Sequence, residues 1–377
     1  MALEKCALPT LEVVSRCLGA SAAAGANAME LSVFIGLSLT LLSGTMMTCA
    51  IVPMKFARAW KWENIWLLYI GFGQVVFPLL LIRLTAPHAW AVFASAKPSA
   101  LAAAALFGLG WGIGNVLSGI GYTMLGVGLG LTIILGLTAS LGSLIPLLVL
   151  YPERLASPAA VALYFGVVVM VAGLILCYHA GNLRQAQRSQ HETSGGADLQ
   201  SFGKGDLRTG VLICIASGIL SSMLNLAFIF GDDIRTTGLR MGMSGIAAVN
   251  TLWLPIFLFG FVPTLVYCIY LFVRNGSWRA FAQPATAPNW FIGMLMGLLF
   301  VTGLSLYGIG SLRLGTMGPV LGFPVYTSAM VLSANAAGFL TGEWRGSPRS
   351  AYIYELLGIL LLIGSIVVIA AGNGKIA

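Results

Sequence analysis

The sequence predicts an all-α polytopic membrane protein of about ten transmembrane helices, arranged as two inverted five-helix repeats. Three observations predict it. Ten uncharged, apolar stretches of membrane-spanning length follow one another along the chain, one long polar stretch falls near the midpoint, and the first half partly matches the second when slid onto it. A hydrocarbon core about 30 Å thick needs roughly 20 apolar residues per helix. Here 58% of residues are hydrophobic and 8% charged, against about 25% charged in soluble domains. A transmembrane barrel would instead alternate apolar and polar residues over about ten positions.

In chain order, residues 1–30 form an N-terminal segment. Lys5 and Arg16 precede an Ala/Gly-rich stretch without a strong apolar core, so a short surface-lying segment is expected rather than a cleaved signal peptide. The first half, residues 31–181, holds spans near Leu31–Val52, Trp62–Ile82, Ser99–Thr123, Leu129–Tyr151 and Pro158–Ala180. Residues 182–209, rich in Gln, Ser, Gly and charge, read as a polar linker. The second half, residues 210–377, holds Gly210–Phe230, Gly245–Phe272, Trp290–Gly310, Gly318–Thr341 and Ala351–Ala371.

One constant offset aligns Gly108 with Gly297, Gly114 with Gly303, Leu117 with Leu306, Gly119-Ile120-Gly121 with Gly308-Ile309-Gly310, and Leu125-Gly126 with Leu314-Gly315. At a slightly longer offset Ala180-Gly181-Asn182 matches Ala371-Gly372-Asn373. Five spans per half is odd, so the second copy enters the membrane in the opposite sense. Inverted repeats of this kind give transporters two facing states with the solute near the midplane.

The formal charge of +8 comes from 20 basic residues scattered through short loops, which fits a membrane protein better than a nucleic-acid partner. Nine lie on the side of the N-terminus and eleven on the other, chiefly Lys55, Arg58, Lys61, Arg184, Arg188, Lys204 and Arg208; that margin does not orient the chain. The six cysteines, at 6, 17, 49, 177, 214 and 268, include no close pair and read as core fillers. Neither a metal site nor a cofactor is expected. Enzyme chemistry is not expected either, because the three histidines, at 88, 179 and 191, have no partner at useful spacing.

Polar groups within hydrocarbon tend to face a cavity or the bundle interior. Trp111, Asn115, Ser118 and Tyr122 form one stripe of the third span at i, i+4, i+7 and i+11. The repeat sets Phe300, Leu304, Tyr307 and Ser311 on the equivalent stripe of the eighth. Ser217, Ser221 and Asn225 share a face of the sixth span, Asn250 and Trp253 one of the seventh, Ser328 and Asn335 one of the ninth, and Gln74 stands alone in the second. Amides, hydroxyls and rings suit a neutral sugar better than an ion. The expected solute contacts are Trp111, Asn115, Ser118, Tyr122, Gln74, Asn225, Asn250 and Tyr307, although hydroxyls and amides also bond helix to helix. A proton-coupled carrier needs a group that changes protonation, and no carboxyl is expected deep in a span. Glu63, Asp232, Asp233, Glu343 and Glu355 lie at span ends, with His179 near one, and Asp232 and Asp233 sit close enough to Arg235 for a helix-end ion pair.

Pro53-Met54-Lys55 followed by Trp60-Lys61-Trp62-Glu63-Asn64-Ile65-Trp66 resembles the first loop of the L-rhamnose–proton symporters. Trp111-Gly112-Ile113-Gly114-Asn115, with Leu125-Gly126 and Gly128-Leu129-Gly130, resembles that family's third and fourth spans, and Glu343-Trp344 its acidic–Trp pair before the last span. The resemblance runs from about Leu31 to the C-terminus. It implies the drug/metabolite transporter superfamily, ten helices with alternating access in a bacterial inner membrane, and L-rhamnose or a related neutral sugar moving with a proton, for which Glu63 is the candidate group. The eighth and ninth spans carry Leu304-Ser305-Leu306-Tyr307 and Gly322-Phe323-Pro324-Val325 where the resemblance leads one to expect more polar groups. The alternative is therefore the same scaffold moving or exporting a different small metabolite without a proton.

Overall fold

The computed structural model describes residues 8–125, 127–191, 207–340, 342 and 344–373. Lys5, Cys6, Gly126, Lys204 and Glu343 lie outside the described residues. Ten of the described helices are long and apolar enough to cross a bilayer, as expected. Lipid offers backbone amides no partner, so each span bonds its own amides by closing into a helix.

The first half comprises α1 (Leu8–Ile51), α2 (Trp62–Gly71) leading through a π-helical turn at Phe72–Val76 into α3 (Phe77–Thr85), the short α4 (Ala89–Ser95), α5 (Pro98–Leu125), α6 (Val127–Leu150) and α7 (Pro158–His191). The second comprises α8 (Leu207–Phe230), the short α9 (Asp232–Arg240), α10 (Gly245–Asn275), α11 (Ala287–Arg313), α12 (Gly318–Leu340) and α13 (Arg349–Asn373). Two boundaries differ from expectation. α1 starts inside the segment expected to precede the first span, and the expected linker is helical up to His191 and again from Leu207.

Local chemistry sets several ends. Pro98 and Pro158 open α5 and α7, where the missing N–H is one the helix leaves unpaired anyway. Asn64 Oδ1 accepts from the Lys61 amide at 3.2 Å and caps α2. Gly276 closes α10 with φ +63°, a left-handed conformation that glycine adopts without strain. The turn it makes sends Asn275 and Ser277 back toward α2.

The helix partnerships come in pairs that a shift of five spans interchanges. α1 packs along α11 as α8 packs along α5, and α1 meets α12 as α8 meets α6. α5 lies on α10 as α11 lies on α2 and its π-turn, while α7 packs on its own counterpart α13. Single contacts repeat the pattern. Ser43 Oγ donates to the Gly303 carbonyl at 2.6 Å, and Ser217 Oγ donates to the Gly114 carbonyl at 2.9 Å. A Cβ on Gly73 would meet the Phe300 ring at 2.9 Å, and one on Gly260 would meet the Trp111 ring at 2.7 Å. Without side chains at these glycines the helices approach closely, which is the main source of packing between spans in lipid.

The face where α7 ends and α8 begins is the linker face, and the opposite one, reached at the end of α8, is the α9 face. The core is an aromatic cluster among α2, α5, α8, α10, α11 and α12, built from residues such as Tyr69, Trp111, Phe228, Trp253, Phe300 and Tyr307.

Candidate functional site

Trp111, Phe257 and Phe300 stand near the middle of α5, α10 and α11, so all three rings come from the same depth of the bundle. Trp111 stacks on Phe300, its counterpart in the repeat, with centroids 6.3 Å apart and planes 16° apart, and it lies 6.5 Å from Phe257. Offset rings at such separations attract one another beyond simple burial. Trp111 is therefore buried between rings rather than open to solvent. Gly73, facing Phe300, belongs to the π-turn that also carries Gln74. Gln74 is buried with Oε1 unpartnered, as is the Trp253 indole N–H on α10. Most buried polar atoms in proteins have a partner, so the unused acceptor of Gln74 and the unused donor of Trp253 stand out beside this aromatic core.

The remaining expected contacts separate into four groups. Asn115, one turn from Trp111 toward the linker face, is half-buried and makes no hydrogen bond among the described residues. Asn250 accepts from Ser305 Oγ at 2.7 Å across α10 and α11. Ser118 is taken up in helix packing, with its hydroxyl 2.7 Å from that of Ser217 and donating to Gly114 at 3.0 Å, while Tyr122 lies against Gly130 near the linker face.

Asn225 and Tyr307 form one unit. Tyr307 Oη donates to Asn225 Oδ1 at 2.6 Å and lies 3.2 Å from the Pro319 carbonyl. The Asn225 amide donates to the Gly142 carbonyl at 2.8 Å and to that of Pro319 at 3.0 Å. Two side chains thus tie α8, α11, α6 and α12 together. Phe323 and Tyr326 on α12 close around Tyr307 with centroids at 6.0 and 5.1 Å. Sequence reasoning misses these two rings: on one helix they are ordinary apolar residues, and only the crossing of α12 over α11 brings them to Tyr307.

Two cavities, of about 440 Å³ and about 500 Å³, lie toward opposite faces, both within the usual range for small-molecule sites, and Pro319 of the knot lines the second. The first lies between α1, α6 and α12 toward the linker face and includes Thr48, Ile51 and Leu135. The second lies between α6, α8, α9, α11 and α12 at the α9 face, with Phe228 and Pro319 in its lining. Interchanging the halves converts α1, α6 and α12 of the first cavity into α8, α12 and α6 of the second, while α9 and α11 line the second without a counterpart in the first. The Asn225–Tyr307 bond itself is not repeated: Ile51 and Ser118 occupy the repeat positions of Asn225 and Tyr307, and on the linker side α1 and α12 are tied instead by the Thr45 and Ser333 hydroxyls, 2.8 Å apart, and by Thr48 Oγ1 donating to the Met330 carbonyl at 2.8 Å.

The acidic residues behave differently from one another. Asp232 pairs with Arg235 through two bonds of 2.5 and 2.8 Å, the expected helix-end ion pair, and Asp233 accepts from the Lys97 amide at 2.8 Å. Glu63 is buried, and its Oε1 accepts from Asn275 Nδ2 at 2.9 Å and Ser277 Oγ at 2.5 Å. Its carboxylate fastens α2 to the end of α10. Glu355, in the second turn of α13, is only 1% exposed because α7 packs over it.

Residues 29–375 match the L-rhamnose-proton symport protein (RhaT) family. The chain belongs to that family. An L-rhamnose-proton symporter of Yersinia pestis (strain Pestoides F) is 24% identical over 352 residues, covering 92% of this chain and 98% of the relative. One from Cronobacter sakazakii (strain ATCC BAA-894) is also 24% identical over 352 residues, covering 92% and 97%. RhaT-family membership makes the chain a multi-pass membrane transporter, not an enzyme. Groups of three or more metal-ligating side chains are absent among the described residues.

Proposed function

We propose that this chain carries L-rhamnose, or a closely related neutral sugar, across the bacterial inner membrane together with a proton, by alternating access of two inverted five-helix halves. Membership of a symporter family over residues 29–375 carries the reading. Two cavities on opposite faces, whose α1, α6 and α12 walls the repeat turns into α8, α12 and α6, give it a physical form. In this arrangement the linker-face cavity abuts the aromatic core through Met54 and Met330, and the Asn225–Tyr307 bolt shuts the α9 side. The sugar's hydroxyls would be met by Asn115, Asn250 and Gln74, and its apolar face by Trp111 once that ring leaves Phe300. Ser118, Tyr122, Asn225 and Tyr307 would act by setting how the halves close, beside any contact with solute.

Purified protein in liposomes, given an imposed proton gradient, should accumulate labelled L-rhamnose above equilibrium, and a rhamnose gradient alone should move protons in the same direction. Accumulation of no neutral sugar under either gradient by correctly folded protein would refute the reading.

A further inference from the structure

We propose that Glu355 is the proton-binding group of the transport cycle. The proposal rests on the symport reading and names the group that reading requires. Glu355 sits inside α13, 1% exposed, with Oε1 lacking any hydrogen-bond partner. The Cys177 thiol of α7 lies against its carboxyl. One turn further on, Gly358 lets α7 approach so closely that a Cβ there would stand 2.6 Å from Cys177 Sγ. From the third side, Asn335 Nδ2 of α12 lies 3.6 Å from the same sulfur.

Other ionisable groups surround this seam. On α7, His179 faces Tyr354 at 6.1 Å, and Arg184 lies over the Trp344 ring at 5.0 Å while attracting the Glu355 carboxyl electrostatically. On α13, Arg349 marks the start of the helix. α12 contributes the amide of Asn335 to the seam.

An ionised carboxylate buried with one oxygen unpartnered and only a thiol, a weak donor, against the other costs several kcal/mol. The closed seam therefore suits the carboxylic acid, and the carboxylate suits a seam opened to water. A proton taken from water on one face adds to the carboxylate, and its release to water on the other restores it; no other bond is made or broken. The state of the seam can reach the solute path because α12 forms both. Asn335 touches Cys177, while Val331 and Ala334 on the same helix line the linker-face cavity. Glu63 differs in that two side chains already donate to one of its oxygens.

The test uses the full-length protein in liposomes with a pH-sensitive dye trapped inside. Under an inward L-rhamnose gradient the wild type acidifies the lumen. Glu355→Gln should still exchange labelled for unlabelled rhamnose while rhamnose-driven acidification falls at least tenfold, and Glu355→Asp should restore part of it. Acidification by Glu355→Gln at the wild-type rate would overturn the proposal, as would loss of coupling in Glu63→Gln alone. Should Glu355→Gln fail to fold, dicyclohexylcarbodiimide, an apolar reagent for protonated buried carboxyls, decides on the wild type. Modification mapped to Glu355, with coupling lost in proportion, supports the proposal; coupling that survives the treatment, or is lost with Glu355 unmodified, overturns it. A wild type that moves no protons with rhamnose would defeat the symport reading itself, a different outcome from a coupled wild type matched by Glu355→Gln.

Discussion

Tyr307→Phe removes one oxygen from the knot and leaves its ring among Phe228, Phe323 and Tyr326. The lost hydroxyl is the donor to Asn225 Oδ1, and Asn225 is fully buried, so the amide oxygen is left without a donor. Stranding a buried polar group costs about 1–3 kcal/mol. Bonds between membrane helices measure lower, averaging about 0.6 and reaching about 1.7 kcal/mol. With both members of this pair fully buried, a value near the upper end of the membrane range is expected, about 1–1.7 kcal/mol. The whole of it falls on the state in which the α9 side is shut, which shifts the equilibrium between facing states roughly 5- to 20-fold, at about 1.4 kcal/mol per factor of ten. Ser143, buried beside the Gly142 carbonyl that Asn225 holds, reports the change. With the native cysteines replaced, Ser143→Cys should react with a membrane-impermeant thiol reagent from the α9 face faster by that factor when Tyr307→Phe is added. Asn225→Ala should give a similar increase, and the double variant should give little more than either alone, because both break one unit. Unchanged labelling, or effects of the two substitutions that simply add, would refute the idea that this bond holds the α9 side shut.

Four further expectations follow from single contacts. Asn115→Ala should leave thermal stability unchanged, since its amide bonds nothing among the described residues, yet raise the KM for rhamnose roughly two- to twelvefold for the loss of a hydrogen bond of about 0.5–1.5 kcal/mol; an unchanged KM would remove it from the site. Ser43→Ala deletes the bond to Gly303 and should lower stability in detergent by about 0.6 kcal/mol, whereas Ser217→Ala deletes both the bond to Gly114 and the contact with Ser118 and should lower it further; a smaller loss for Ser217→Ala in unfolding measurements would count against this reading. Glu63→Ala removes an acceptor of two hydrogen bonds and should cost about 1.5–3 kcal/mol, seen as a lowered melting temperature. Gly260→Leu drives a side chain into Trp111 and the Gly108 carbonyl, and transport should fall at least tenfold with protein still in the membrane; wild-type uptake would show that α10 and α5 do not need this approach.

The expected repeat is read from glycines that recur at a fixed distance in the third and eighth spans, where helices cross closely and tolerate no side chain. The first and second spans were illegible by the same offset. Ser43 and Ser217 stand closer together along the chain than Gly73 and Gly260, and both pairs stand closer than Gly108 and Gly297, because the second half inserts α9 between its first two spans. A slide that sets Gly108 on Gly297 therefore passes over both pairs. The candidate residues were legible as types and not as partners. Asn225 and Tyr307 could each be named from a polar stripe, but nothing along the chain joins two residues 82 apart in a bond. The burial of Glu355 was illegible because distance from a span's start measures depth along one helix, whereas its burial comes from α7 on the other side of the seam.

The sequence by itself determined the ten spans, the all-α class and the family, because in lipid each backbone must bond within its own segment and the apolar length needed is fixed by the bilayer. Which spans touch, that Trp111 lies on its own repeat partner, that Asn225 bonds Tyr307 with no such pair at their repeat positions, and that a carboxyl is sealed between α7 and α13 were decided only by tertiary structure. Those facts depend on where side chains from distant segments meet, and packing between helices in lipid is set by shape and hydrogen bonding at each crossing rather than by any pattern along one helix.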